Sequence, residues 1–215
     1  MTVLTNFQIY DLLNRPRPLW LVKIDLSEAA LFWADFSHCN LNMARLTKAD
    51  LNWTNFSGAS LYKADLSMAN LFEADLSSAN LNEAVLSRAN LTRANLVKAE
   101  LVEATLVETN LSRVNLSKAN MIRANLNGSV LIRADLSKSN LAGANLAGVD
   151  LTYANLFEAN LAGANLRGAN LNRADLTYAN LINADLTGAT MEQAELGDAI
   201  MPDGKKQPAN SATGG

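Results

Sequence analysis

Large apolar residues recur at every fifth position along most of the chain. The series begins at Leu26 and reaches Met201 without a gap, which gives 36 central positions, of which 31 are Leu. The residue two places before each centre is Ala at 28 of these positions, and the residue directly before it is Asn or Asp at 26. The repeating unit is therefore Ala, then Asn or Asp, then Leu, followed by two variable residues.

A period of five fits a regularly bent extended chain and does not fit a helix. Five residues turn an α-helix by about 500°, so the Leu series would form no apolar stripe on it. In an extended segment, Ala and Leu can both face a core while the Asn or Asp between them points outward. A bend in each unit would restore this register and close the chain into a coil that pairs with its neighbours.

The chemistry of the variable positions recurs best when every fourth unit is compared, which predicts four units per coil. Comparison of every third or every fifth unit mixes basic, acidic and glycine positions. The 36 units would then form an all-β solenoid of about nine coils, roughly 40 Å long. In the comparison of every fourth unit, two columns contain three successive bases, and we call these runs the Arg column (Arg93, Arg113, Arg133) and the Lys column (Lys98, Lys118, Lys138).

The five-residue unit resembles that of the pentapeptide-repeat family, and the likeness covers residues 21–201. It implies a right-handed quadrilateral β-helix with Leu and Ala inside. The ending from Ala199 to Gly204 is similar to that of many cyanobacterial members. The resemblance also implies two kinds of role, because some members are DNA-shaped gyrase inhibitors that confer quinolone resistance and others act in cyanobacterial differentiation signalling.

The segments that flank the repeats predict a cap over residues 1–20 and a disordered tail over residues 202–215. Phe7, Tyr10 and Leu13 would share one face of a short cap helix, which a Pro-rich connector follows. The tail contains no large apolar residue, which is typical of disorder. Gyrase-inhibiting members dimerise through an apolar C-terminal helix that this tail cannot form, so we expect a monomer.

Composition favours no catalytic chemistry. The 18 basic and 21 acidic residues give a net charge of −3, so direct binding to nucleic acid is not expected. The chain has one His, His38, and one Cys, Cys39, which occupies an inward Ala-type position and is expected to be a core residue. Zinc spacings, phosphate loops and dinucleotide fingerprints are absent. We therefore expect a protein that is not an enzyme and has no catalytic residues, metal or cofactor.

The sequence also favours a cytoplasmic location. The N-terminus has no basic start followed by an apolar run, so it does not resemble a signal peptide. No apolar run approaches the ~18 residues of a membrane span, so a membrane partner is not expected.

Two sets of outward residues are candidate interaction sites. Like charges about 5 Å apart repel, so the Arg and Lys columns indicate an acidic partner; the alternative is a solvated face that remains from duplication. Exposed aromatic residues mark contact sites, unless the N-terminal cap folds over them. This second set, the aromatic group, is Phe32, Trp33, Trp53 and Phe72.

The predicted function is a non-catalytic protein–protein interaction or regulatory scaffold that binds through the outward columns of a rigid rod. We expect the partner to be another protein, of acidic character. The alternative is a DNA-mimicking inhibitor of a type II topoisomerase, which would need acidic groups spaced like phosphates. Here the outward Asp residues alternate with Asn, and basic columns interrupt them.

Overall fold

The computed structural model describes residues 6–209, most of which form a four-sided β-helix. Every parallel bridge joins equivalent positions four units apart in the sequence, from the pair of Trp20 and Asn40 to the pair of Asn180 and Ile200. One such bridge occurs in each five-residue unit, so each coil has four short sides instead of extended strands. The prediction of four units per coil is therefore confirmed.

A tight turn forms the corner between successive sides. The N–H of nearly every Ala-type residue donates to the carbonyl of the preceding central residue, as Ala119 does to Leu116 at 3.0 Å; the N–H of Thr109 donates to Ser129 Oγ instead. The third turn residue, which we call the corner residue, has a φ of 54° to 62° wherever it is not glycine. A positive φ at this position is the feature of type II turns.

The variable residues of the sequence carry a signature of this corner. A β-branched side chain is strained at positive φ. Accordingly, the 35 corner positions from residue 28 to residue 198 contain no Val, Ile or Thr, whereas the 35 positions directly before them contain 11. The two variable residues of each unit are therefore not equivalent, although the repeat pattern alone treats them alike.

The interior is filled by the central residues and the Ala-type residues. The central residues from Leu26 to Leu181 are at most 1% exposed, and Phe36 stacks on Phe56 with ring centroids 5.4 Å apart. Polar residues at Ala-type positions bond to carbonyls inside the rod; Thr109 Oγ1, for example, donates to Leu86 at 2.8 Å. Cys39 is buried among these residues, as predicted.

Most outward Asn and Asp side chains accept a hydrogen bond from the turn that follows them. Asp75 Oδ1, for example, accepts the N–H of Ser77 at 3.0 Å. Three units have Ser60, Glu100 or Thr190 in this position, and there an Asn of the preceding coil accepts the same turn N–H instead. The substitutes are Asn42, Asn82 and Asn172, whose Oδ1 atoms accept from Tyr62, Val102 and Glu192 at 3.1, 2.7 and 2.8 Å.

Helix α1 spans Asn6–Leu13 and contributes Ile9 and Leu12 to the apolar core. Tyr10, which was predicted to share one face of this helix with Phe7 and Leu13, is 70% exposed, so the buried face is a different one. Ile9 and Leu12 are three positions apart and lie on the same side of the helix, and Tyr10 points away from that side. The side chains of Phe7 and Leu13 lie outside the described part of the structure.

Residues 202–209, which we predicted to be disordered, fold back on the last coil instead. Lys206 forms an antiparallel bridge with Ile200, and Gln207 N–H donates to the carbonyl of Ala199 at 2.9 Å. The reason is a Pro-Asp-Gly turn, in which Gly204 adopts a φ of 80°. Backbone pairing needs no large apolar side chain, so composition alone missed it. Residues 210–215 lie outside the described range.

The substitute hydrogen bonds give a test of the turn network. We expect Asn82→Ala to lower the free energy of unfolding by about 1–2 kcal/mol, because the N–H of Val102 loses its acceptor. Asn52→Ala is the matched control, since the buried Oδ1 of Asn52 has no hydrogen-bond partner among residues 6–209. We expect this control to lose less than about 0.5 kcal/mol. Equal losses in urea denaturation would contradict the assignment.

Candidate interaction surface

Corner residues of every fourth unit lie on neighbouring coils, so they form columns along the rod. Neighbouring coils are about 4.8 Å apart. Trp33 and Arg93 are three coils apart at the same corner, and therefore lie in the same column. From the sequence alone, the two tryptophans and the Arg column were interpreted as separate features. The complete Trp33 column is Trp33, Trp53, Glu73, Arg93, Arg113, Arg133, Tyr153, Arg173 and Gln193.

The aromatic group lies together at the N-terminal end of this column. The rings of Trp33 and Trp53 stack at 5.0 Å with an interplanar angle of 8°, and Phe72 packs edge-on against Trp53 at 5.7 Å. Trp33 is 68% exposed and Phe32 is 54% exposed. The part of the N-terminal segment that the structure describes therefore leaves this apolar surface open to solvent.

Glu73 joins the aromatic group to the Arg column. Its carboxylate accepts hydrogen bonds from Arg93 Nη1 and from Trp53 Nε1, both at 3.0 Å. These two bonds hold the pKa of Glu73 below its ordinary value of 4.5, and the bond from Arg93 has the larger effect. The charge of Arg93 is therefore balanced within the column.

The structure divides the six predicted basic residues into two groups. Lys138 lies 3.6 Å from Glu158, and the guanidinium of Arg133 lies 5.5 Å from the ring centre of Tyr153. Together with Arg93, these residues have partners within the rod. The remaining cations have no carboxylate within 4.0 Å among residues 6–209, and we call them the open cations: Lys98, Arg113 and Lys118.

Among the described residues, every base in the other two corner columns except Lys23 lies beside an acid of a neighbouring coil, and this includes both bases, Arg88 and Arg123, in the coils of the open cations. Exposed pairs of this kind stabilise a protein little, but they neutralise the surface locally. The open cations occupy two adjacent corners without such neutralisation. The neutralised pairs are Lys48 with Glu28 at 3.7 Å, Lys63 with Glu83 at 3.1 Å, Arg88 with Glu108 at 2.8 Å and Arg123 with Glu103 at 3.6 Å.

The C-terminal end of the Trp33 column contains an arrangement that was not among the predicted site residues. Tyr153 lies between two guanidinium groups, those of Arg133 at 5.5 Å and Arg173 at 5.3 Å. Arg173 Nε also donates to Gln193 Oε1 at 2.9 Å. The sequence signal for this arrangement was the spacing of Arg133, Tyr153 and Arg173, which follow one another at intervals of four units.

The outward Asp carboxylates accept hydrogen bonds from the N–H groups of the turns that follow them. Thr187, through its hydroxyl and its N–H, and Arg167 together lower the pKa of Asp185 to about 2. Asp residues are also bonded across coils, as Asn95 Nδ2 donates to Asp75 Oδ1 at 3.0 Å. These Asp side chains therefore act as acceptors for turn amides and for amides of the neighbouring coil.

Within residues 6–209, no three His, Cys, Asp or Glu side chains form a group that could hold a metal ion. The same residues contain no helix that combines the length and apolar character needed to cross a bilayer. The chemistry that this surface offers is hydrogen bonding, charge and aromatic contact.

Comparison with known proteins identifies relatives of this β-helix. Residues 24–61 and 69–193 match the family model for pentapeptide repeats in eight copies. The solved structure of HetL, a pentapeptide-repeat protein involved in heterocyst differentiation regulation in the cyanobacterium Nostoc sp. strain PCC 7120, is similar with a TM-score of 0.68. The two sequences are 36% identical, and the match covers 95% of this chain and 100% of HetL.

A second similar structure is full-length QnrB1, a plasmid-mediated fluoroquinolone resistance protein. It matches with a TM-score of 0.52 and 18% identity over 81% of this chain and 84% of QnrB1. At this identity the likeness concerns the fold alone. No curated protein sequence matches the chain.

The bond network around Glu73 gives a pH-dependent prediction. Because Arg93 and Trp53 favour the charged carboxylate, its contribution to stability is present above about pH 4.5 and is lost as the pH falls through the lower pKa of the folded protein. We expect Arg93→Gln to move the pKa of Glu73 up towards 4.5, as followed by carboxyl-carbon NMR. Arg123→Gln, which removes the partner of Glu103, is the control and should leave the pKa of Glu73 unchanged. An unchanged pKa in Arg93→Gln would contradict the assignment.

Proposed function

The chain belongs to the pentapeptide-repeat family of right-handed β-helices, and on that premise we propose that it is a non-catalytic regulatory protein that binds an acidic segment of another protein. The observation that carries the proposal is the set of open cations, Lys98, Arg113 and Lys118. They lie at adjacent corners of a rod whose other corner bases in the same coils are neutralised. A ligand that brings carboxylates would complete the pattern found elsewhere on the rod.

The proposed architecture is a rigid monomeric rod of about nine coils, in which α1 caps the N-terminal end. End caps shield the exposed end of a solenoid from further pairing. The burial of Ile9 and Leu12 against the core supports this role for α1. A cytoplasmic location is part of the proposal and agrees with a single cysteine, Cys39, that is free and buried.

Electrostatics would govern how such a partner is recognised. Complementary charge speeds association and fixes the register between partners more than it adds affinity. The exposed aromatic group, which lies on the N-terminal side of the Arg113 corner, can supply the desolvated contact that charges alone do not. Trp33, Trp53 and Arg113 lie in the same column, so one partner could contact both features.

Likeness to HetL supports a regulatory role. The two chains are 36% identical over nearly their whole lengths, and HetL is described as involved in heterocyst differentiation regulation. We extend only the class of role, regulation by binding, to this chain. The DNA-mimic alternative has less support, because Asp75 and its equivalents alternate with Asn and are bonded to turns.

A binding experiment with a defined acidic probe tests the proposal. We expect a fluorescein-labelled oligo-Glu peptide to bind the full chain, with an affinity that falls as salt increases. The double substitution Arg113→Gln and Lys118→Gln should weaken binding about tenfold or more, as measured by fluorescence anisotropy.

The matched control removes the same charge elsewhere, with Lys23→Gln and Lys48→Gln. We expect this variant to bind the peptide within about twofold of the wild type, because both lysines belong to the other two corner columns. Equal weakening by both double variants would show a net-charge effect and contradict the proposed site. Tighter binding to a duplex DNA of equal charge would contradict the choice of a protein partner.

A further inference from the structure

The ion pair of Glu73 with Arg93 divides the Trp33 column into an apolar part and a basic part. Trp33 and Trp53 form the apolar part, and Arg113 is the first open cation after them. Between them, Glu73 is bonded to both Trp53 and Arg93. A ligand that follows the column therefore meets apolar, then neutralised, then basic surface.

We propose that the ligand is a short extended segment that carries an aromatic or large apolar anchor, a neutral spacer and then carboxylates, and that it lies along the Trp33 column. This inference rests on the proposed function and specifies the chemistry of its ligand. The anchor contacts the exposed Trp33 and Trp53, and the carboxylates contact Arg113 and the neighbouring open cations, Lys98 and Lys118.

The charge of Glu73 explains why the spacer must be neutral. Its pKa is lowered by Arg93 and Trp53, so it is ionised at neutral pH. A ligand carboxylate placed opposite this coil would be repelled by Glu73, and Arg93 is already engaged by it. A ligand base there would have to compete with Arg93 for the same carboxylate. Uncharged residues have neither cost.

The coil spacing sets the length of the spacer. Trp53 and Arg113 are three coils apart in the same column, which corresponds to about 14 Å. An extended peptide advances about 3.3 Å per residue, so about four residues cover this distance. Residues four apart in an extended chain also point to the same side, so the anchor and the first carboxylate can both face the column.

Three short peptides test this geometry. The first has one Trp, a spacer of three Gly or Ser and then Glu-Ser-Glu; the second has the same composition with the Trp directly beside the first Glu. The third replaces the Trp of the first by Ser. Each peptide is made in both chain directions, and its binding to the full chain is measured by NMR titration at low ionic strength. The three peptides are then compared, each in the direction that binds more tightly.

We expect the first peptide to bind about tenfold more tightly than the second and the third, the effect of one aromatic anchor. Trp33→Ser should abolish this advantage and leave binding of the third peptide unchanged. The matched control is Trp20→Ser, because Trp20 is 78% exposed, similar to Trp33 at 68%, but lies outside the column. This control should retain the advantage.

The possible outcomes separate the two proposals. If all three peptides bind equally and Arg113→Gln with Lys118→Gln weakens them, the anchored ligand is overturned and the acidic partner stands. If the first and second peptides bind equally and more tightly than the third, the spacer is overturned. If the advantage persists in Trp33→Ser, the anchor site is overturned. If no peptide binds and the oligo-Glu probe also fails, both proposals fall.

Discussion

The corner turn is the constraint on which the rest of the structure depends. Each unit must change direction within one tight turn, and it does so with a positive φ at the corner residue. The turn N–H of the Ala-type residue closes on the preceding central carbonyl, while the corner N–H itself donates to the next coil, as Lys118 does to Ser137 at 2.9 Å. The same residue therefore bends the chain and joins neighbouring coils. Four such corners complete a coil, which brings every fourth unit into register.

This constraint separates architecture from recognition. Central and Ala-type residues face a narrow interior, so packing restricts them to Leu, Ala and residues of similar size. Corner residues must avoid β-branching but are otherwise free, and most of them are exposed. Charge and aromatic character can therefore vary along a column without disturbing the core. In the Trp33 column this freedom produces an aromatic end, a neutralised middle and an open cationic part.

Most of the fold could be read from the sequence, because a five-residue period constrains inward positions strongly. The site could be predicted only in part from the sequence. Which side chains meet across coils decides that Arg93 is paired with Glu73 and that Arg113 has no carboxylate beside it among the described residues. The exposure of Tyr10 was missed because the apolar residues of this short helix define two possible buried faces. One face contains Tyr10, and the other, which the structure buries, contains Ile9 and Leu12. The folded segment at 202–209 was missed because backbone pairing and turn chemistry, and not apolar content, hold it.

Substitution within one turn measures the constraint most directly. Ser78 is an uncharged corner residue with a φ of 55°, and Ser77 precedes it in the same turn. We expect Ser78→Val to lower the free energy of unfolding in urea by about 1 kcal/mol or more, because a β-branched residue is strained at positive φ. Ser77→Val should stay within about 0.5 kcal/mol of the wild type, since Val97 already occupies the equivalent position on the next coil. Equal stability of the two variants would contradict the account.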